Sequence, residues 1–141
     1  GYGSYLIAEA SLNDLEPRRM STLTERILNS VCYEEVRERR TDNFRVLHDR
    51  LGRWNKCEID LSNVDGPLCY PFMTDQSGLR EELIKSRIFV ATYWRDVSER
   101  CAEDTYEAVL ARQLIPLPCD QRYCVAEMNR VVETCIGFLN R

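Results

Sequence analysis

Residues Leu114-Ile115-Pro116-Leu117-Pro118-Cys119-Asp120-Gln121-Arg122-Tyr123 constrain this chain more than any other stretch. A short apolar run is halted by two prolines and passes through an Asp-Gln-Arg-Tyr turn into an amphipathic helix. Val125, Met128, Val132, Cys135 and Leu139 recur there at spacings of three and four, with Val131 and Ile136 beside them. Glu127, Asn129, Arg130 and Glu133 fall on the other face. That stripe is what a helix needs to dock on a core. Strand, turn and docking helix predict the end of a domain in which a sheet meets a helical layer. Asp120 is the expected N-cap of the helix.

Upstream segments must supply the rest of that layer. Gly1–Asn13 reads as a strand stub or a strap lying on a neighbour, and Pro17-Arg18-Arg19-Met20 breaks the chain. Thr22 followed by Glu25 is a capping-box pattern opening a short helix with Leu23, Ile27 and Leu28 on its buried side. A longer helix is expected from Glu34 to Leu51, with Val36, Phe44, Leu47 and Leu51 as its apolar edge and Gly52 as its stop. Acidic residues precede arginines at helical spacing in its first half, which suits an exposed, ion-paired face. Leu68–Met73 reads as a strand, and Pro71, lacking an amide donor, places it at an edge or strand end. Asp75 or Ser77 is expected to cap a helix carrying Leu79, Leu83 and Ile84. Ile88–Trp94, β-branched and aromatic, is the strongest strand signal. Ser98 is expected to open a helical piece running through Val109 and Leu110. The expected fold class is therefore α+β, a small antiparallel-type sheet of about three strands with helices on one face.

With 141 residues, one domain spanning 1–141 is the expectation, 1–17 serving as a strap or linker. A formal net charge of −4 argues against general attraction to nucleic acid or an anionic membrane. Seven scattered cysteines, without a Cys-x-x-Cys pair, suit a reducing compartment, and a soluble cytoplasmic protein is expected. The single histidine, His48, has no partner at helical spacing and reads as a surface or core-edge residue, so no metal site is expected. No Gly-x-Ser-x-Gly elbow or phosphate-cradling glycine loop occurs, and no catalytic residue is assigned. Two clusters stand out at strand ends, Tyr93-Trp94-Arg95-Asp96 and Asp120-Gln121-Arg122-Tyr123. Each offers an arginine beside aromatic and hydrogen-bonding groups, a combination that suits a carboxylate, a phosphate or a sugar ring.

Several motifs together resemble a known family. Tyr70-Pro71-Phe72-Met73, then Leu79-Arg80-Glu81-Glu82-Leu83, then Ile88–Trp94, then Leu114–Pro118 with a terminal helix, follow one another in its order. Arg19-Met20-Ser21 and a long helix with Arg39, Arg40 and Asn43 complete the pattern over residues 18–141. This arrangement resembles the C-terminal small domain of the DegT/DnrJ/StrS aminotransferases, fold-type I enzymes that use pyridoxal phosphate (PLP) to aminate keto nucleotide-sugars. The resemblance implies that the Schiff-base lysine, the pyridine-pairing aspartate and the phosphate loop belong to a large domain with no counterpart in this sequence. The cofactor would then be PLP in a larger enzyme and none in this chain, which alone would be inactive. Of 19 basic residues only Lys56 and Lys85 are lysines, one in a polar loop and one near a helix end, and neither suits a Schiff base. The sequence departs from the family at Pro17, where an asparagine is common, and at Tyr93-Trp94, where many members have a His-Tyr pair. Expected substrate contacts are Tyr93, Trp94 and Arg95, then Arg122 and Tyr123, with Arg19 near the domain junction. Expected partners are the large domain of the same polypeptide, a second copy in a homodimer, and a small-molecule sugar substrate. The competing expectation is a freestanding α+β binding, regulatory or oligomerisation module.

Overall fold

The computed structural model describes residues 2–13 and 15–141. They fall into two compact units, Gly1–Cys32 and Tyr33–Arg141, each described by itself.

The first unit holds helices α1 (Tyr2–Ala10) and α2 (Thr22–Asn29), neither of which contains a buried residue. The strand stub expected at the N-terminus is thus a helix, in which main-chain bonding is satisfied locally and no partner strand is needed. The cap of α2 lies one residue earlier than the Thr22–Glu25 pattern suggested. Ser21 is extended, and its hydroxyl accepts the amide of Thr24 at 3.1 Å. Leu23, Ile27 and Leu28, expected to be buried, are exposed.

The second unit is an α+β assembly. Its elements are α3 (Tyr33–Leu51), β1 (Cys69–Phe72), α4 (Leu79–Lys85), α5 (Val97–Arg100), α6 (Tyr106–Gln113), β2 (Ile115–Pro118) and α7 (Val125–Leu139). Gly52 does not stop the chain in a left-handed turn; a 3₁₀ turn over Gly52–Trp54 continues α3 instead. Strands β1 and β2 pair antiparallel, with Tyr70 opposite Leu117 and Phe72 opposite Ile115. These four side chains share one face and are buried. They join Phe44, Leu47 and Leu51 of α3, Leu79 and Leu83 of α4, and Met128, Val132 and Cys135 of α7 in one core. Burying each of the large apolar side chains is worth about 1.5–3 kcal/mol. Ser98 does not begin a continuous helix. A single turn, α5, ends at Arg100, and α6 starts afresh at Tyr106, capped by Thr105, whose hydroxyl accepts the Ala108 amide at 3.3 Å.

The sheet has two strands rather than the expected three. Ile88–Trp94 forms no ladder, for all its strand-like composition. The reason lies in the prolines. Pro71 stands opposite Pro116, and neither has an amide hydrogen, so the ladder must close through Tyr70/Leu117 and Phe72/Ile115. Pro116 and Pro118 then point their nitrogens outward along the free edge of β2, which offers carbonyls but no donors to a third strand. The Pro71 carbonyl likewise faces away from β2 and accepts the side-chain amide of Asn55 at 2.8 Å.

Candidate functional site

The Cys119–Tyr123 turn is held from below by α3. Asn43, 2% exposed, aims its side-chain nitrogen at three main-chain carbonyls: Asp120 and Tyr123 at 3.1 Å each and Cys119 at 3.4 Å. One helical turn earlier, the Arg40 Nε donates to Gln121 Oε1 at 2.8 Å. The guanidinium of Arg40 also reaches the Pro67 carbonyl, 3.5 Å away, just ahead of β1. A helix residue and its neighbour at i+3 lie on one face, so a single stripe of α3 holds the whole turn.

Within the turn, Asp120 does not cap α7 as expected. Its carboxylate accepts the Arg122 main-chain amide at 3.0 Å and both Nε and Nη2 of the Arg122 guanidinium at 2.9 Å. That two-pronged pair with Arg122 holds the Asp120 carboxyl below the usual aspartate range and raises the Arg122 guanidinium above its own. With Asp120 so engaged, the cap falls to Cys124, whose amide is received by Glu127 at 2.8 Å. Arg122 is exposed, and its guanidinium carbon lies 5.8 Å from the centre of the Tyr123 ring. Tyr123 is half-buried and lines a cleft of about 120 Å³ with Ile88, Phe89, Pro118, Met128 and Val131. That cleft brings Tyr123 to the start of the Ile88–Trp94 segment, but Tyr93, Trp94, Arg95 and Arg122 do not line it.

The second cluster sits at the far end of the same segment. Tyr93 and Trp94 pack with ring centroids 5.6 Å apart at 57°. Trp94 adopts a left-handed φ of 51°, which is uncommon for a bulky side chain. Its carbonyl accepts the Val97 amide at 3.0 Å, turning the chain into α5. Burial, and after it the neighbouring Cys69 thiol, raises the Tyr93 phenol above its ordinary value. Arg95 is exposed and forms no ion pair with a carboxylate among the described residues.

The main chain just ahead of this cluster is anchored by Arg80, a residue that sequence reasoning assigned no role in the site. Its guanidinium donates to the Ala91 carbonyl at 2.5 Å and to the Leu114 carbonyl at 2.7 Å. It thereby ties a segment without ladder bonds to the residue preceding β2. The only sequence signal for it was its place in the Leu79–Leu83 motif, because its partners lie 11 and 34 positions away. Burial lowers the Arg80 guanidinium below its ordinary value; Glu81 pulls it the other way, and Arg95 adds a smaller effect in the direction of burial.

The remaining candidates are dispersed. Arg19 lies in the first unit, exposed and outside any helix. Lys56 is exposed and paired with Asp75, which therefore is not the cap of α4; Gly78 holds that position. Lys85 is exposed in the last turn of α4. His48 is half-buried, its Nδ1 3.3 Å from the Tyr70 hydroxyl. Burial pushes the Cys119 and Cys135 thiols up to about 12, so neither is a nucleophile at neutral pH. Among the described residues no helix is long and apolar enough to cross a membrane. Comparison with protein-family models, curated proteins and solved structures finds no match to this chain.

Proposed function

We propose that this chain is the C-terminal small domain of a cytoplasmic, PLP-dependent sugar aminotransferase of DegT/DnrJ/StrS type. Within the whole enzyme it would close the cleft over a keto (nucleotide-)sugar and supply contacts to it. One observation carries the reading. Arg40 and Asn43, from the arginine-rich helix of the resemblance, bind directly to the Cys119–Tyr123 turn that follows the leucine-proline strand. The arginine-rich helix and the turn that joins the leucine-proline strand to the terminal helix, about eighty residues apart, are thus parts of one clamp. The placing of the protein in the cytoplasm is favoured by seven cysteines that are all free thiols.

The residues described here do not fit PLP itself. A Schiff-base lysine needs a rigid, enclosed setting that lowers its pKa, whereas Lys56 and Lys85 are both exposed and Lys56 is committed to Asp75. Cofactor and lysine are therefore assigned to the large domain of the same polypeptide, and the chain alone is assigned no turnover. Its own part is binding. Tyr93 and Trp94 offer aromatic faces to a sugar ring and Arg95 an uncommitted guanidinium, while Arg122 and Tyr123 form a second, weaker contact. Arg19 is assigned by the resemblance alone. The test is the reading frame that encodes the chain. An upstream segment with a lysine in a strand-turn setting, and a product that transaminates a keto sugar, support the proposal. A frame without that segment, or a full-length product inert toward keto sugars, overturns it.

A further inference from the structure

We propose that the cleft between the end of α4 and α7 binds a small apolar carboxylate, a compact aryl or branched-alkyl group carrying one acid. The cleft, about 120 Å³, is bounded by Ile88, Met128 and Val131, all buried, with Phe89 and Tyr123 beside them. An apolar cavity of about 150 Å³ holds a benzene molecule, so the space here suits one such group. Two arginines, Arg87 and Arg130, line the same cleft. Arg130 Nη2 donates to the Ser86 carbonyl, so its guanidinium sits against the peptide group that joins Ser86 to Arg87. Neither arginine forms an ion pair among the described residues. The one carboxylate on the cleft, Glu127, is occupied by the Cys124 amide at 2.8 Å. An apolar pocket with two unpaired cations and one committed acid is complementary to an apolar group bearing negative charge.

Arg87 is also where the chain departs from its local preference. Helix α4 closes in a Schellman arrangement, the Arg87 amide donating to the Ile84 carbonyl at 2.9 Å and the Ile88 amide to that of Leu83 at 2.8 Å. The left-handed position of that motif is usually glycine, yet here it is an arginine with φ of 59°. Glycine would meet the backbone requirement at lower cost, so the turn itself gains nothing from the arginine. Its side chain serves the cleft. The site does not rest on the aminotransferase reading, with which it shares only Tyr123.

The test is an NMR titration of the 141-residue chain carrying carbon-13 methionine methyls, at constant ionic strength. Of the three methionines only Met128 lines the cleft, so Met20 and Met73 serve as internal references. The titrants are phenylacetate, its neutral isostere phenylacetamide, and acetate, which lacks the ring. Phenylacetate should shift the Met128 methyl saturably, and the other two should bind about tenfold or more weakly, as loss of charged hydrogen bonds or of apolar burial implies. Arg87→Gly should weaken phenylacetate binding by about tenfold while its urea midpoint holds or rises, an outcome that a structural role for Arg87 would reverse. Phe89→Ala, at a side chain 77% exposed, should weaken binding without disturbing the fold. Arg50→Gln, on the exposed face of α3, should bind as the parent does. No saturable Met128 shift, equal binding of phenylacetamide, or parental binding in Arg87→Gly would overturn the site. So would a lowered midpoint in Arg87→Gly or equal loss in Arg50→Gln. Binding by a chain whose full-length product forms no imine would leave the cleft standing while the aminotransferase reading fell.

Discussion

The side-chain nitrogen of Asn43 lies 3.1 Å from the main-chain carbonyl of Tyr123, across eighty residues of sequence. It reaches the carbonyls of Asp120 and Cys119 as well, so two amide hydrogens serve three acceptors. Through this one side chain, the first long helix sets the path by which β2 enters α7.

Replacing Asn43 therefore tests the clamp. In Asn43→Ala, buried carbonyls lose their donor, and a loss of about 1–3 kcal/mol is expected. Asn43→Asp should be worse, because a carboxylate facing carbonyls can only repel them. Urea unfolding should show lower midpoints with an unchanged m-value.

Arg80→Met should keep much of the aliphatic packing while freeing the Ala91 and Leu114 carbonyls. The expected stability loss is again about 1–3 kcal/mol. The more telling readout is local: Tyr93 and Trp94 should lose their fixed mutual geometry, visible as vanishing nuclear Overhauser contacts between the rings. Unchanged contacts would mean that another group holds the segment.

Pro118→Ala checks the account of the sheet. Pro118 faces Cys69 at a position outside the ladder bonds, so the amide hydrogen this substitution introduces should point away from β1. The ladder should persist, with Tyr70 and Leu117 amides still protected from exchange. The cost should be about 1 kcal/mol or less, arising from the freer unfolded chain. If the introduced amide were instead protected and paired with β1, the assignment would be contradicted.

The Asp120–Arg122 pair predicts a pH dependence. Asp120 has a folded pKa below its unfolded value, so its contribution is full above the unfolded value, about 3.9 for aspartate. It is lost as pH falls through the folded value. Stability of the parent should therefore drop between neutral pH and strong acid more steeply than that of Asp120→Asn. Equal slopes would mean that the pair contributes nothing.

Cysteine chemistry gives a further check. Cys32 and Cys124 are exposed, whereas Cys119 and Cys135 are buried with thiols pushed up to about 12. Brief alkylation at neutral pH followed by mass spectrometry should label the first two and spare the second two until the chain is unfolded.

Much of this architecture was legible in the sequence because it is local. The stripe Met128, Val132, Cys135, Leu139 declares α7, and Phe44, Leu47 and Leu51 declare α3. The edge character of Cys69–Phe72 was visible in Pro71. Ile88–Trp94 misled because β-propensity measures fit to a pleated neighbour, and the available neighbour presents Pro116 and Pro118. The caps were misplaced where a polar side chain had a better partner: Asp120 serves Arg122, and Asp75 serves Lys56. Tyr93, Trp94 and Arg95 could be picked out as a cluster by residue type. Arg80 could not, since its bonds to Ala91 and Leu114 exist only once the chain has folded.

The assignment as the small domain of a PLP enzyme is tested most directly by absorbance with added PLP. The isolated chain should show no persistent imine band, and the product of the complete reading frame should show one that disappears when a lysine upstream of this chain is replaced. A persistent band on the isolated chain, lost on replacing Lys56 or Lys85, would contradict the account, as would a full-length product that forms no imine.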